Sequence, residues 1–214
     1  MAAPTPTDET RPTARAAAWS LALCAVTCVI ASGFGLRFYG DTGFLFRELS
    51  DPEFPPAGLA TALSGALLLW AGWSWLALGR AASQRSALGL GACLLWFGFD
   101  EVLELHERAT RAMVDAGLPR PFGIEQDVYL FALYAAVALP CLLLSLPRVR
   151  ADRTALRLVA LALVLAATSQ AADLLPWDRL SRTERQWVGP LEEGTKTLSV
   201  LALALASARL RNSR

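Results

Sequence analysis

The chain contains one lysine, Lys196, and one histidine, His106, and each stands among carboxylates in or beside a hydrophobic run of membrane length. The first cluster reads Asp100-Glu101-Val102-Leu103-Glu104-Leu105-His106-Glu107. The second reads Glu192-Glu193-Gly194-Thr195-Lys196. A charged side chain at the centre of hydrocarbon costs at least ~3 kcal/mol, so such groups are as a rule paired, hydrated or functional.

Carboxylates in this number suit two chemistries. They bind and release protons where burial disfavours their charged form, with Lys196 as an internal counter-charge. They also ligate hard or intermediate divalent cations, and Asp100, Glu104 and Glu193 are the residues expected to hold such a metal ion. No other cofactor is expected. Spacing excludes the familiar metalloenzyme motifs. His106-Glu107-Arg108-Ala109-Thr110 opens like His-Glu-x-x-His but has no second His. Leu103 stands three residues before His106, where the di-iron Glu-x-x-His motif needs Glu. No Cys-x-x-Cys occurs, and Cys24, Cys28, Cys93 and Cys141 all lie inside hydrophobic runs, where free Cys packs as a small apolar group.

A third chemistry is hydrolysis. Glu192-Glu193-Gly194-Thr195-Lys196 resembles the Glu-Glu-x-x-Lys motif of PrsW-type intramembrane proteases, and the resemblance implies that the acidic pair activates water. Here, however, His106 and its acids precede the motif rather than follow it. The same segment also resembles the Glu-x-Gly-Asp-Lys-Thr motif of a cation-transporter family through Glu192, Gly194, Lys196 and Thr197, with Thr195 in place of the Asp. Against all three stands a structural reading, in which the acids and Lys196 join helices to one another or to a partner. Membrane interhelical hydrogen bonds contribute only about 0.6–2 kcal/mol, and the acids outnumber the one Lys, so pairing alone leaves carboxylates to be protonated, hydrated or bound to a cation.

The elements that must position these groups are membrane helices. The 214 residues are 54% hydrophobic and 18% charged, whereas soluble domains carry about 25% charged residues. Apolar runs of about 20 residues suffice to cross a bilayer. They fall at 17–35, 57–79, 86–106, 127–147, 154–175 and 187–208, after a Pro- and Thr-rich tail over 1–16 and before a basic tail over 209–214. The expected fold is all-α, a six-helix bundle without strands. The net charge of +1 offers no field for nucleic acid, so none is expected as a partner. Membrane lipid is, with a protein partner or a second copy of the chain as further candidates.

Orientation follows from arginine. Arg80, Arg85, Arg148, Arg150, Arg153, Arg209 and Arg211 flank one set of helix ends. Asp41, Glu48, Asp51, Asp115, Glu125, Asp127 and Asp178 lie on the other. The positive-inside rule puts both termini in the cytoplasm. The Arg-, Ala- and Leu-rich composition suggests a bacterial chain, hence a multi-pass protein of the bacterial cytoplasmic membrane.

Depth then brings the polar groups together. With a rise of ~1.5 Å per residue, Asp100 lies about 21 Å from the inner boundary, Lys196 about 18 Å, Glu193 about 22 Å and Glu192 about 24 Å. Gln170 and Asp173 lie near the outer end of the fifth span. On the third span Asp100, Glu104 and Glu107 follow i, i+4, i+7 spacing and share a face, with Glu101 about 100° away and His106 pointing elsewhere. Glu192 stands four residues before Lys196, the favoured order for a pair. The expectation is an outward-facing acidic pocket between the third, fifth and sixth spans. Asp100, Glu104 and Glu193 bind in it, Glu192 and Lys196 set its charge, and Gln170 and Asp173 complete its wall.

Overall fold

A computed structural model describes residues 59–119, 126, 128–175 and 180–213. The first expected span, 17–35, lies outside the described residues, as do the two tails' ends, Glu125 and Asp127. Six helices are described: α1 (Leu59–Ala82), α2 (Arg85–Leu103), α3 (Leu105–Asp115), α4 (Val128–Arg150), α5 (Arg153–Asp173) and α6 (Arg182–Asn212). No strand occurs among the described residues. Four of the helices, α1, α2, α4 and α5, are long and apolar enough to cross a membrane. At 31 residues α6 is the longest, but Glu192, Glu193 and Lys196 in its middle keep it out of that set.

α1 and α2 form a tight antiparallel pair. Ser83 ends α1 in the left-handed region at φ 52°, and the Gln84 N–H donates back to the Gly79 carbonyl at 2.9 Å, the six-to-one bond that closes a helix end. Glycine lets the two backbones touch. A Cβ at Gly72 would meet the Leu95 nitrogen at 2.7 Å and the Gly91 carbonyl at 2.8 Å; one at Gly91 would meet the Leu76 nitrogen at 2.7 Å. Small residues that allow such approach are a main source of helix association in lipid, where the hydrophobic effect does not drive it.

The other contacts are short polar ties across an apolar core. The fully buried Trp75 donates its Nε1–H to the Leu203 carbonyl at 3.2 Å, joining α1 to α6. Ser199 donates to the Ala162 carbonyl at 2.8 Å, joining α6 to α5. Ser145 donates to Ser86 at 3.0 Å, joining α4 to α2. α4 buries only Leu142, Ser145 and Val149, and Leu144 on it is 70% exposed. An apolar helix with so little covered is suited to lipid rather than water. It runs on through Pro140 and Pro147.

Asp152 holds the arginine-rich end together. It caps α5 by accepting from the Thr154 and Ala155 N–H groups at 2.8 and 3.0 Å, and it accepts from Arg209 Nε on α6 at 2.8 Å. Burial favours its neutral form, but the two backbone donors and the Arg209 guanidinium outweigh that and hold the carboxyl below its usual range. A carboxyl lowered in this way stabilises the fold in full above its unfolded value near 3.8 and loses that contribution as pH falls further.

Three outcomes test this packing. Gly72→Val should destabilise the detergent-purified protein by about 1–3 kcal/mol, the usual cost of overpacking. Gly194→Ala, where an added Cβ meets nothing within 4 Å, should be neutral or stabilising; thermal unfolding reads both. Asp152→Ala should cost about 1 kcal/mol, as loss of a cap does, and its deficit against wild type should shrink in unfolding curves taken as pH drops below 3.8.

Candidate functional site

The third expected span does not continue to His106. α2 ends at Leu103, and Glu104 adopts φ 52° and ψ 40°, in the left-handed region. A new helix, α3, starts at Leu105. A non-glycine residue there carries about 1–3 kcal/mol of backbone strain. The expected common face of Asp100, Glu104 and Glu107 is therefore lost, because the break redirects everything after Leu103.

The break is closed by the residues that flank it. The His106 backbone N–H donates to Asp100 Oδ1 at 2.8 Å, and His106 Nδ1 lies 3.0 Å from Asp100 Oδ2. Asp100, 4% exposed, thus caps the start of α3 and orients the imidazole. His106, expected to point elsewhere, is the partner of Asp100. Glu107 on α3 is half-buried and pairs with Arg111 at 3.0 Å.

The second cluster is built around Lys196. Its Nζ lies 2.7 Å from Glu101 Oε1 and 2.6 Å from Glu193 Oε1. Ser64 on α1 donates to the same Glu101 oxygen at 2.9 Å. Three helices, α1, α2 and α6, thus meet on one ammonium. The expectation gave Glu192 the pairing role; the ion pair forms with Glu193, three residues before Lys196, and across helices with Glu101. Glu192 is half-buried on α6, and Gln170 and Asp173 lie at the end of α5. The centre therefore lies between the second, third and sixth expected spans.

Ser64 was missed in the sequence, although its depth was readable. It lies seven residues into a span that enters from the side on which Glu101 ends its own span. Glu101 was expected among the pocket residues, but about 100° from the Asp100 face. That offset is what sends Glu101 to Lys196 and Asp100 to His106.

The remaining carboxylate is Glu104. It is 8% exposed, and its Oε1 is buried without a hydrogen-bond partner among the described residues, as are Thr61 Oγ1 and Ser169 Oγ. Among the described residues no three His, Cys, Asp or Glu side chains group as metal ligands.

Apolar helices of membrane length around a buried carboxylate–ammonium network define a helical membrane protein with an internal acidic site. The chain belongs to the family described as a domain of unknown function (DUF8692), which matches residues 20–210. No curated protein and no solved structure matches it.

The break at Glu104 can be tested directly. Glycine enters the left-handed region without the strain that a Cβ brings, a difference of about 1–2 kcal/mol. Glu104→Gly should therefore exceed Glu104→Ala in thermal stability by about that amount. In a continuous helix the order reverses, because Ala is then favoured by about 1 kcal/mol.

Proposed function

We propose that this protein binds and exchanges a proton at its buried acidic site, as a six-span protein of the bacterial cytoplasmic membrane with both termini inside and the site open toward the outer face. The observation that carries the reading is a charge imbalance. Asp100, Glu101, Glu104 and Glu193 are all buried. Among the described residues, the cationic groups seen on them are Lys196, on Glu101 and Glu193, and the imidazole of His106, on Asp100. Removing an ionised carboxylate from water without a partner costs several kcal/mol. A site with more buried carboxyls than cations lowers that cost by taking up a proton or a cation.

The position of Lys196 favours the proton. Its ammonium sits between Glu101 and Glu193, where an external cation would otherwise bind. What remains exchangeable is the proton of a neighbouring carboxyl, and Glu104, with a buried oxygen that has no partner among the described residues, is the natural acceptor. Lys196 is then the counter-charge that Glu101 and Glu193 share.

Infrared difference spectra between mildly acidic and mildly alkaline pH read such a carboxyl directly. Wild type should show one protonated-carboxyl band that disappears at the higher pH, and Glu104→Gln should lack it. In vesicles with an internal pH dye, an inward proton gradient should acidify the lumen faster than in empty vesicles, and Glu104→Gln should remove the difference. Spectra without a titrating carboxyl would defeat the reading, as would stoichiometric divalent metal that is lost in Glu193→Gln.

A further inference from the structure

A second site lies on the other side of α2. Trp96 and Phe97 of α2, His106 of α3, and Leu133, Tyr134 and Val137 of α4 line a cavity of about 600 Å³. That volume is in the range of small-molecule sites. None of its lining residues belongs to the Lys196 network. Its walls are apolar, and Trp96, Leu133 and Val137 are all more than half exposed, so a ligand reaches it through lipid. An acyl chain alone would fit such walls. What an acyl chain leaves unanswered is the imidazole of His106.

The ring is held for a purpose beyond packing. Nδ1 lies 3.0 Å from the carboxylate of the buried Asp100, so the proton of a neutral ring resides on Nδ1 and Nε2 accepts. Nε2 has no hydrogen-bond partner among the described residues. A histidine whose Nδ1 is fixed by a carboxylate and whose ring lines an apolar cavity suits a ligand with one polar end. The charge around it selects that end. Asp100, Glu101, Glu104 and Glu107 lie on the same two helices within a few residues and disfavour an anionic head. An ammonium head would be repelled by the ring once protonated. A hydroxyl is neutral and both donates and accepts, so it satisfies Nε2 in either protonation state.

We propose that the cavity between α2, α3 and α4 binds a membrane-dissolved long-chain alcohol, with its chain between Trp96, Leu133 and Val137 and its hydroxyl on His106 Nε2. The assignment does not depend on proton exchange at Glu104, and its test is separate. Because His106 is the sole histidine, protein labelled with ¹⁵N-histidine gives one imidazole spectrum. In detergent, dodecanol should shift the Nε2 resonance saturably, and dodecane should leave it in place. Val137→Trp and Leu133→Trp fill the cavity; each should keep the ligand-free imidazole resonance, which reports the intact Asp100 pair, and lose the dodecanol shift. An unmoved resonance, an equal shift with dodecane, or a shift that survives both tryptophan variants would overturn the proposal, the second of these showing a groove for hydrocarbon alone.

Discussion

The ammonium of Lys196 is the interaction on which the arrangement of the bundle rests. Glu101 and Glu193 sit among apolar helices where a lone carboxylate would be costly, and one cation answers both. Removing one member of a buried ion pair typically costs about 3–5 kcal/mol, because the partner is left charged and uncompensated. Ser64 adds a third helix by donating to the oxygen that Lys196 also holds. α1, α2 and α6 are therefore fixed in register where their apolar faces alone would allow sliding. The Trp75 bond to Leu203 and the glycine contact at Gly72 work in the same direction further along α1. Each is a short-range contact whose geometry tolerates little displacement, as helix association in lipid requires.

The break at Glu104 is a second constraint, and it is local. An α-helix that continued past Leu103 would carry Leu105 to Asp115, a segment with no buried residue, out of the bundle along the same axis. The left-handed residue turns that segment aside, and Asp100 satisfies one of the orphan N–H groups of the new helix, that of His106. The same carboxylate holds the imidazole. The strain at Glu104 is thus offset by two hydrogen bonds that exist only because the chain breaks there. α3, polar on one side and touching the cavity through His106 and Ala109 on the other, has the character of a helix at a membrane surface.

Much of the helix layout was legible in the sequence, because membrane spans announce themselves by length and composition. The described ends of α2, α4 and α5 fall within a few residues of the expected ones. Depth was legible too, since a rise of ~1.5 Å per residue places Glu101 and Lys196 at similar heights. What was not legible was azimuth. Faces were read on an unbroken helix through His106, and one residue at φ 52° invalidates every face assigned beyond it. Nothing in Leu103-Glu104-Leu105 signals the break, for neither Gly nor Pro is present and Glu is a good helix former. The cause is tertiary: Asp100 and His106 find each other only once the helix has turned. α3 was missed for a related reason, because a short amphipathic helix outside the spans has no length signature.

Asp100 and Glu101 are neighbours in the chain, yet they serve opposite sides of α2. Successive residues on a helix are separated by about 100°, which suffices to send one carboxylate to the ion network and the other to His106, which lines the cavity. α2 is thus a partition one residue thick between a buried charge cluster and a surface open to lipid. The two carboxylates are also electrostatically joined, for a proton gained or lost on one side alters the field on the other across a medium that screens poorly. The acidic pair in the last turn of α2 thus serves two partners, Lys196 through Glu101 and His106 through Asp100.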